Sequence, residues 1–435
     1  MGTLQGKLLS RILGNVKYRY MHGQSLAGWQ ALKTKNIARW RRRGRSLLLM
    51  FLGLAIALAT NFPFLAAAQS GLPTSELRGV WLTNVDSDVL FSRQKLDAAI
   101  QRLQRLNFNT IYPTVWHEGS TLYPSMVTKQ AFGESISPIP ELQNRDMLAE
   151  AIELGHARNL TVIPWFEFGL MSEERSELTR KHPEWLTARK DGSKVFIYGD
   201  RKQHHFVWLN PLRPEVQNLL VDMIAEVVSK YKVDGIQIDD HFGMPVELGY
   251  DDYTVNLYKK QHNGNPPPDD INDPEWVHWR SRFITDLMVR IYSAVKTSKP
   301  NCIISLSPNP MKFSYENYAQ DWYRWVGLGF VDELLVQVYR DGLDTFLEEL
   351  DRPELRRVRR RIPVGIGILT GLRVKKVGIG QIERQVRATR DRNFHGFSFF
   401  FYETLGNRDN AFQTMLPAMA TRPDKRSILL TKAGG

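Results

Sequence analysis

Two adjacent carboxylates, Asp239 and Asp240, close the apolar run Val233-Asp-Gly-Ile-Gln-Ile-Asp-Asp-His241. An apolar strand that ends in charge is costly unless those groups are hydrogen-bonded or used. Glycoside hydrolysis uses such a pair: one carboxyl group protonates the leaving oxygen, and the other attacks the anomeric carbon or activates a water beside it. Side chains alternate along a strand, so Gln237 and Asp239 share one direction and Ile238 and Asp240 the other. We expect Asp239 to point into the site with Gln237 beneath it, and Asp240 to border the site or fix the following loop. Glu167, beside Trp165 and Phe166, is the expected proton donor, because bulky aromatic neighbours desolvate a carboxyl group and raise its pKa. Glu403, at the end of the last apolar run, competes for that role; Glu118 and Asp341 are lesser candidates.

Aromatic and amide side chains crowd the ends of the other apolar runs. Trp116, Trp165, Tyr339 and Tyr402 offer flat surfaces for sugar rings, although any one of them is equally readable as core. Asn84, Gln237, Asn309 and Gln337 could bond sugar hydroxyls, and His117 and His241 lie beside them. The histidines form neither H-x-H nor H-E-x-x-H, which argues against a catalytic zinc site. There is no P-loop or dinucleotide glycine fingerprint, and Ser307-Pro-Asn-Pro310 lacks the G-x-S-x-G turn of a serine hydrolase. We therefore expect neither a metal nor an organic cofactor.

Positioning such groups requires strands whose ends converge. Eight runs have strand length: 77–84, 110–116, 160–168, 233–240, 302–308, 331–340, 363–370 and 396–403. Amphipathic stretches of helical period separate them, among them 94–106, 146–158, 214–230, 273–296 and 379–391. Strand and helix in alternation mean a parallel sheet, and eight units predict an α/β (β/α)8 TIM barrel. The active site of such a barrel lies at the carboxyl ends of the strands, where the acidic and aromatic residues fall. Long connections after the third strand (169–213) and the fourth (242–273) are expected to elaborate that face, the first as a hairpin roof. The barrel domain is set at 76–415 and a polar tail at 416–435.

The net charge of +12 is misleading about partners. Eleven Lys and Arg and no acidic residue lie in the leader 1–45, so the remainder is nearly neutral and nucleic acid is not an expected partner. The leader runs into the apolar segment 46–68. That segment reads as a signal peptide cleaved after Ala68, or, uncleaved, as a membrane tether through 46–65 with its basic side inside. The expected location is exported: periplasmic, cell-envelope or extracellular, or anchored in the inner membrane if the segment stays uncleaved. A lone cysteine, Cys302, allows no intramolecular disulfide and reads as a buried thiol.

Leu77-Arg-Gly-Val-Trp-Leu-Thr83, Asp234-Gly-Ile-Gln-Ile-Asp-Asp240, Ser307-Pro-Asn-Pro310, Gln337-Val-Tyr339 and the closing aromatic strand together resemble the bacterial glycosyl hydrolase-like family ten, over about residues 76 to 415. The resemblance implies an exported (β/α)8 hydrolase of β-linked glycans, with acidic residues at the barrel mouth; some members act on peptidoglycan strands. Asp239 sits where related retaining barrel glycosidases place a nucleophile. Gln237 stands where those enzymes have Arg, and Glu167 where many family members carry another residue. The function expected is cleavage of O-glycosidic bonds in a bacterial polysaccharide, most readily peptidoglycan strands. The alternatives are a carbohydrate-binding pseudoenzyme and a hydrolase of secreted exopolysaccharide.

Overall fold

The computed structural model describes residues 74–198 and 204–425. The leader, the apolar segment 46–68 and residues 426–435 lie outside them, as do the signal-peptide and tether expectations. Among the described residues, no helix is long and apolar enough to cross a membrane.

All eight expected strands are present: β1 (Leu77–Leu82), β2 (Thr110–Pro113), β3, β4 (Gly235–Asp239), β5 (Ile303–Ser307), β6 (Glu333–Gln337), β7 (Val364–Leu369) and β8 (Gly396–Phe400). β3 comes in two pieces, Thr161–Val162 and Trp165–Phe166. Pro164, which has no N–H for a ladder, lies at the break. Neighbours pair in parallel, in the order β3 (first piece), β2, β1, β8, β7, β6, β5, β4, β3 (second piece). The order begins and ends on the two halves of one strand. The result is a curled, mostly parallel, TIM-barrel-like sheet.

Helices cover its outer face for reasons visible in their sequences. In α1 (Arg93–Arg105), Leu96, Ala99, Ile100 and Leu103 recur at helical spacing and are buried, while Ser92 caps the Lys95 N–H. α2 (Met147–His156) is capped by Asp146 in the same way. α3 (Pro214–Lys230) opens on a proline, whose missing N–H costs nothing at a helix start. α4 (Pro274–Ser298) also opens on proline, and its Asp273 cap accepts from both Glu275 and Trp276 N–H. α5 (Ile379–Asp391) packs against β7 and β8 through Ile382 and Val386.

The barrel interior is layered by side chains that alternate inward. At the amino-terminal end, Glu333 receives hydrogen bonds from Tyr112 (2.9 Å) and Ser305 (2.9 Å) and pairs with Arg422. One layer up, the Trp81 indole N–H donates to Gln237 (2.7 Å), whose amide donates to Ser305 (2.9 Å). The 416–425 segment, read from sequence as the start of a polar tail, is tied to this lower end: Glu76 N–H donates to Thr421 O at 2.9 Å, and Arg422 reaches Glu333.

The connection after β3 forms the expected roof as a three-stranded antiparallel sheet, with His204–Trp208 between Met171–Glu173 and Phe196–Tyr198. It is stitched to the end of β4, since Leu170 N–H donates to His241 O (3.0 Å) and the Trp208 indole to Gly243 O (3.1 Å). Gly169, at φ +47°, makes this approach possible; a Cβ there would lie 2.7 Å from the His241 carbonyl carbon. The connection after β4 contains the helix Asp252–Gln261.

Candidate active site

β4 delivers Asp239 to the carboxyl end of the barrel on the same side as Gln237. Asp239 is 2 % exposed, and its Oδ1 accepts from Ser307 Oγ (2.8 Å) and Gln337 Nε2 (2.7 Å). Ser307 is its register partner on β5, as Ser305 is that of Gln237. Asp240, less buried, accepts from Asn309 Nδ2 at 2.5 Å. His241 donates from Nδ1 to the Glu167 carbonyl (3.0 Å) and lies 3.7 Å from Asp239 and 3.5 Å from Asp240. The Gln320 amide donates to the Asp239 carbonyl (3.0 Å), fixing the backbone where the strand ends. Glu167, 4 % exposed, accepts from Thr114 Oγ1 at 3.2 Å.

Among the described residues, neither Asp239 nor Glu167 has a lysine or arginine ion pair; His241 is the cation nearest both. Burial, reinforced by Asp240, raises the Asp239 carboxyl to about 7, with His241 and Ser307 pulling the other way. Burial and the neighbouring Asp239 push Glu167 well above the carboxylate range. His241 is raised to about 9; burial works against the charge, but Asp240 and Asp239 outweigh it. Its neighbour His117, buried against Phe168 at 4.1 Å, is lowered to about 3 by burial and by His241. Both carboxyl groups are thus raised, which lets a buried acid keep a proton to donate. The Asp239, Asp240 and His241 ligand atoms also lie within 4.8 Å of one another, a spacing compatible with a divalent cation. Three of the four oxygens of the Asp239 and Asp240 carboxylates, however, already accept hydrogen bonds, from Ser307, Gln337 and Asn309.

Of the side chains expected from sequence, the structure brings together Asp239, Asp240, Glu167, His241, Asn309, Gln337 and Tyr339. The Tyr339 phenol is raised well above its usual value by burial and by Asp239, Asp240 and Glu167, so it is a neutral O–H donor among three acids. Asn84 and His117 are buried, His117 close enough to His241 to feel its charge, and Asn84 Oδ1 and His117 Nε2 have no hydrogen-bond partner among the described residues.

Other expectations need correction. Gln237 is wholly buried with both ends of its amide engaged, so it holds a layer of the barrel rather than a sugar. Trp116 is equally buried and bonds Gly169 O (3.0 Å), supporting the roof rather than a ligand. Trp165 lies between Trp81 (6.1 Å) and Phe400 (6.3 Å), beneath the surface. Tyr402 faces Arg102 of α1, 5.5 Å from its ring, and so belongs to the outer packing. Glu403 is bonded to Ser87 and lines a separate cleft, away from the Asp239 cluster.

Sequence reasoning passed over Thr114, Gln320 and the donor role of Ser307. The signal for Ser307 was there: Ser305 and Ser307 are polar residues at alternate positions of an apolar strand.

A glycoside hydrolase-like barrel with an acidic cluster at its mouth has direct counterparts. The sequence profile described as glycosyl hydrolase-like 10 matches residues 76–387. The chain belongs to this family. Glycosyl hydrolase DigH of Escherichia coli K12 is 27% identical over 332 residues, covering 65% of this chain and 69% of that protein. Glycosyl hydrolase YngK of Bacillus subtilis 168 is 25% identical over 316 residues, covering 64% and 56%. The chain therefore spans little more than half the length of YngK. Among solved structures, the glycoside hydrolase domain of PgaB (BpsB) from Bordetella bronchiseptica superposes with a TM-score of 0.59 at 14% identity, over 80% of this chain and 100% of that domain. This is a likeness of fold.

Proposed function

We propose that the curled sheet is a complete (β/α)8 barrel and that it hydrolyses O-glycosidic bonds in a bacterial polysaccharide, peptide-stripped peptidoglycan strands being the substrate we favour. The observation that carries this reading is the pair Asp239 and Glu167: two buried carboxyl groups with no lysine or arginine ion pair among the described residues, the charge of Asp239 raising the pKa of Glu167. Glu167, raised by burial and by the neighbouring Asp239, is the acid. It gives its proton to the glycosidic oxygen as the C–O bond breaks. Asp239 in its ionised form, beside His241 and hydrogen-bonded by Ser307 and Gln337, either takes a proton from the water that bonds to the anomeric carbon or bonds to that carbon first and is displaced by water. Asp240 and Asn309 border the site, and Tyr339 donates to a sugar oxygen.

A polymeric substrate of this kind lies outside the cytoplasm, in keeping with export through the segment 46–68. We read that segment as cleaved, or else as a tether through 46–65.

The test is release of new reducing ends from purified peptide-free strands, with exopolysaccharide supplied in parallel. Release from the first substrate supports the proposal; release from the second alone moves the substrate to exopolysaccharide. Binding to either without release makes the protein a carbohydrate-binding pseudoenzyme.

A further inference from the structure

Beside the acidic cluster, the same end of the barrel carries a hollow that no member of the cluster lines. It is a cleft of about 610 Å³ bounded by the loops that follow β7, β8 and β1. Its walls are mostly apolar, with Leu372, Val377, Ile379 and Phe401. A line of rings joins it to the mouth: Phe401 lies 5.2 Å from Phe400, and Phe400 lies 5.7 Å from Tyr339 and 6.3 Å from Trp165.

The polar groups of the cleft are unevenly used. One Glu403 oxygen accepts from Ser87, while the other, Oε2, is buried with no hydrogen-bond partner among the described residues. Burial raises this carboxyl to about 7, so much of its charge is suppressed near neutral pH. Asp86 is matched by Arg373 at 3.5 Å. Arg408 spends its guanidinium on the carbonyls of Thr370, Val377, Thr404 and Leu405, which holds the wall in place. The hairpin of Gly371–Leu372 and Lys375–Lys376 forms the rim, with Lys375 anchored to Asp341. Lys376 is exposed at that rim and has no ion pair among the described residues. The cleft therefore combines an apolar wall, a bare buried acceptor and a surplus of positive charge at its entrance.

We propose that this cleft is a subsite for a sugar bearing a carboxylate. The ring lies on the apolar wall, a hydroxyl donates to Glu403 Oε2, and the carboxylate faces Lys376 and Arg373. A pyranose needs both an apolar face and hydroxyl acceptors, and a carboxylate is the substituent that the rim charge selects. The proposal rests on the reading of the mouth as a glycosidase site, and it adds a preference for acidic over neutral glycans.

The experiment uses peptide-free peptidoglycan strands, whose muramic acid residues expose lactyl carboxylates, offered as such and with those carboxylates capped as amides. The expected result is a KM about two- to fivefold lower for the free acid at similar kcat, as one exposed ion pair allows. Added salt shrinks that ratio, and Lys376→Met brings it close to one. Equal KM values in the unmodified protein, or a preference that survives Lys376→Met, overturn the proposal. If neither polymer is cut, the glycosidase reading fails by itself, and calorimetric titration of the two polymers decides the cleft. A preference for the free acid that Lys376→Met removes supports it, and equal affinities overturn it.

Discussion

The barrel buries acid at both of its ends and treats it in opposite ways. At the amino-terminal end, Glu333 is 1 % exposed and fully served by Arg422, Tyr112 and Ser305. At the other end Asp239 and Glu167 are buried almost as deeply, yet among the described residues they meet hydroxyls, an amide and one histidine, and no arginine or lysine. A buried carboxylate with a guanidinium partner is a structural strut. A buried carboxyl without one must hold on to its proton or be stabilised by dipoles, which is a cost to folding and an asset to acid–base chemistry. The contrast separates scaffold from site along a single axis, and it can be broken at either end.

The largest effect belongs to Asp239. Asp239→Asn keeps the amide-sized side chain between Ser307 and Gln337 but removes the anion, and is expected to lower kcat by about 10⁴-fold. The thermal midpoint should hold or rise. Reducing-end assays and a melt check both, and near-normal rates would transfer the role to Asp240.

At the opposite end the same comparison predicts the reverse pattern. Arg422→Met strands Glu333 without its cation and should cost about 3–5 kcal/mol of stability, with little change in the kcat of the folded enzyme. Denaturant titration measures the first and active-site-normalised kinetics the second.

Glu167→Gln comes next. The expected loss is about 10²-fold in kcat, and it should be much smaller on aryl glycosides whose leaving group needs no proton. An equal loss on both substrates would make Glu167 structural.

The smallest effect is on the pH dependence of stability. With its carboxyl raised from 3.8 to about 7, Asp239 holds a proton in the folded chain that the unfolded chain has already released. Its contribution therefore favours the fold at low pH and is lost as pH rises from about 4 to about 7. Melts across that window should slope less steeply downward in Asp239→Asn than in the unmodified protein.

Much of this was readable before any coordinates. The eight apolar runs became eight strands because continuous Val, Ile and Leu stretches bounded by turns are what a sheet covered on both faces requires. Strand alternation required that only one of Asp239 and Asp240 point inward, and the choice of Asp239 agrees with its burial beside Ser307 and Gln337. The ends of the runs were less legible. Residues 115–116 and 401–403 look like strand continuations in sequence, but they leave the sheet, so Trp116 turns under the roof and Glu403 into the side cleft. Nor does a strand's own sequence reveal what its inward groups meet. Gln237 resembled a ligand contact because its neighbours Trp81 and Ser305 come from strands far away in the chain. The division of buried acids into paired and unpaired was invisible for the same reason, since Arg422 lies 89 residues from Glu333.

The central claim is that the mouth carboxyls are uncompensated, and the most direct measurement is a carbon-13 NMR titration of side-chain carboxyl-labelled protein, with Asp239→Asn and Glu167→Gln for assignment. The account predicts that Asp239 titrates near 7, that Glu167 titrates well above the ordinary carboxylate range, and that Glu167 shifts downward when Asp239 is replaced. Titration of both groups at ordinary carboxylate values, with neither responding to loss of the other, would contradict it.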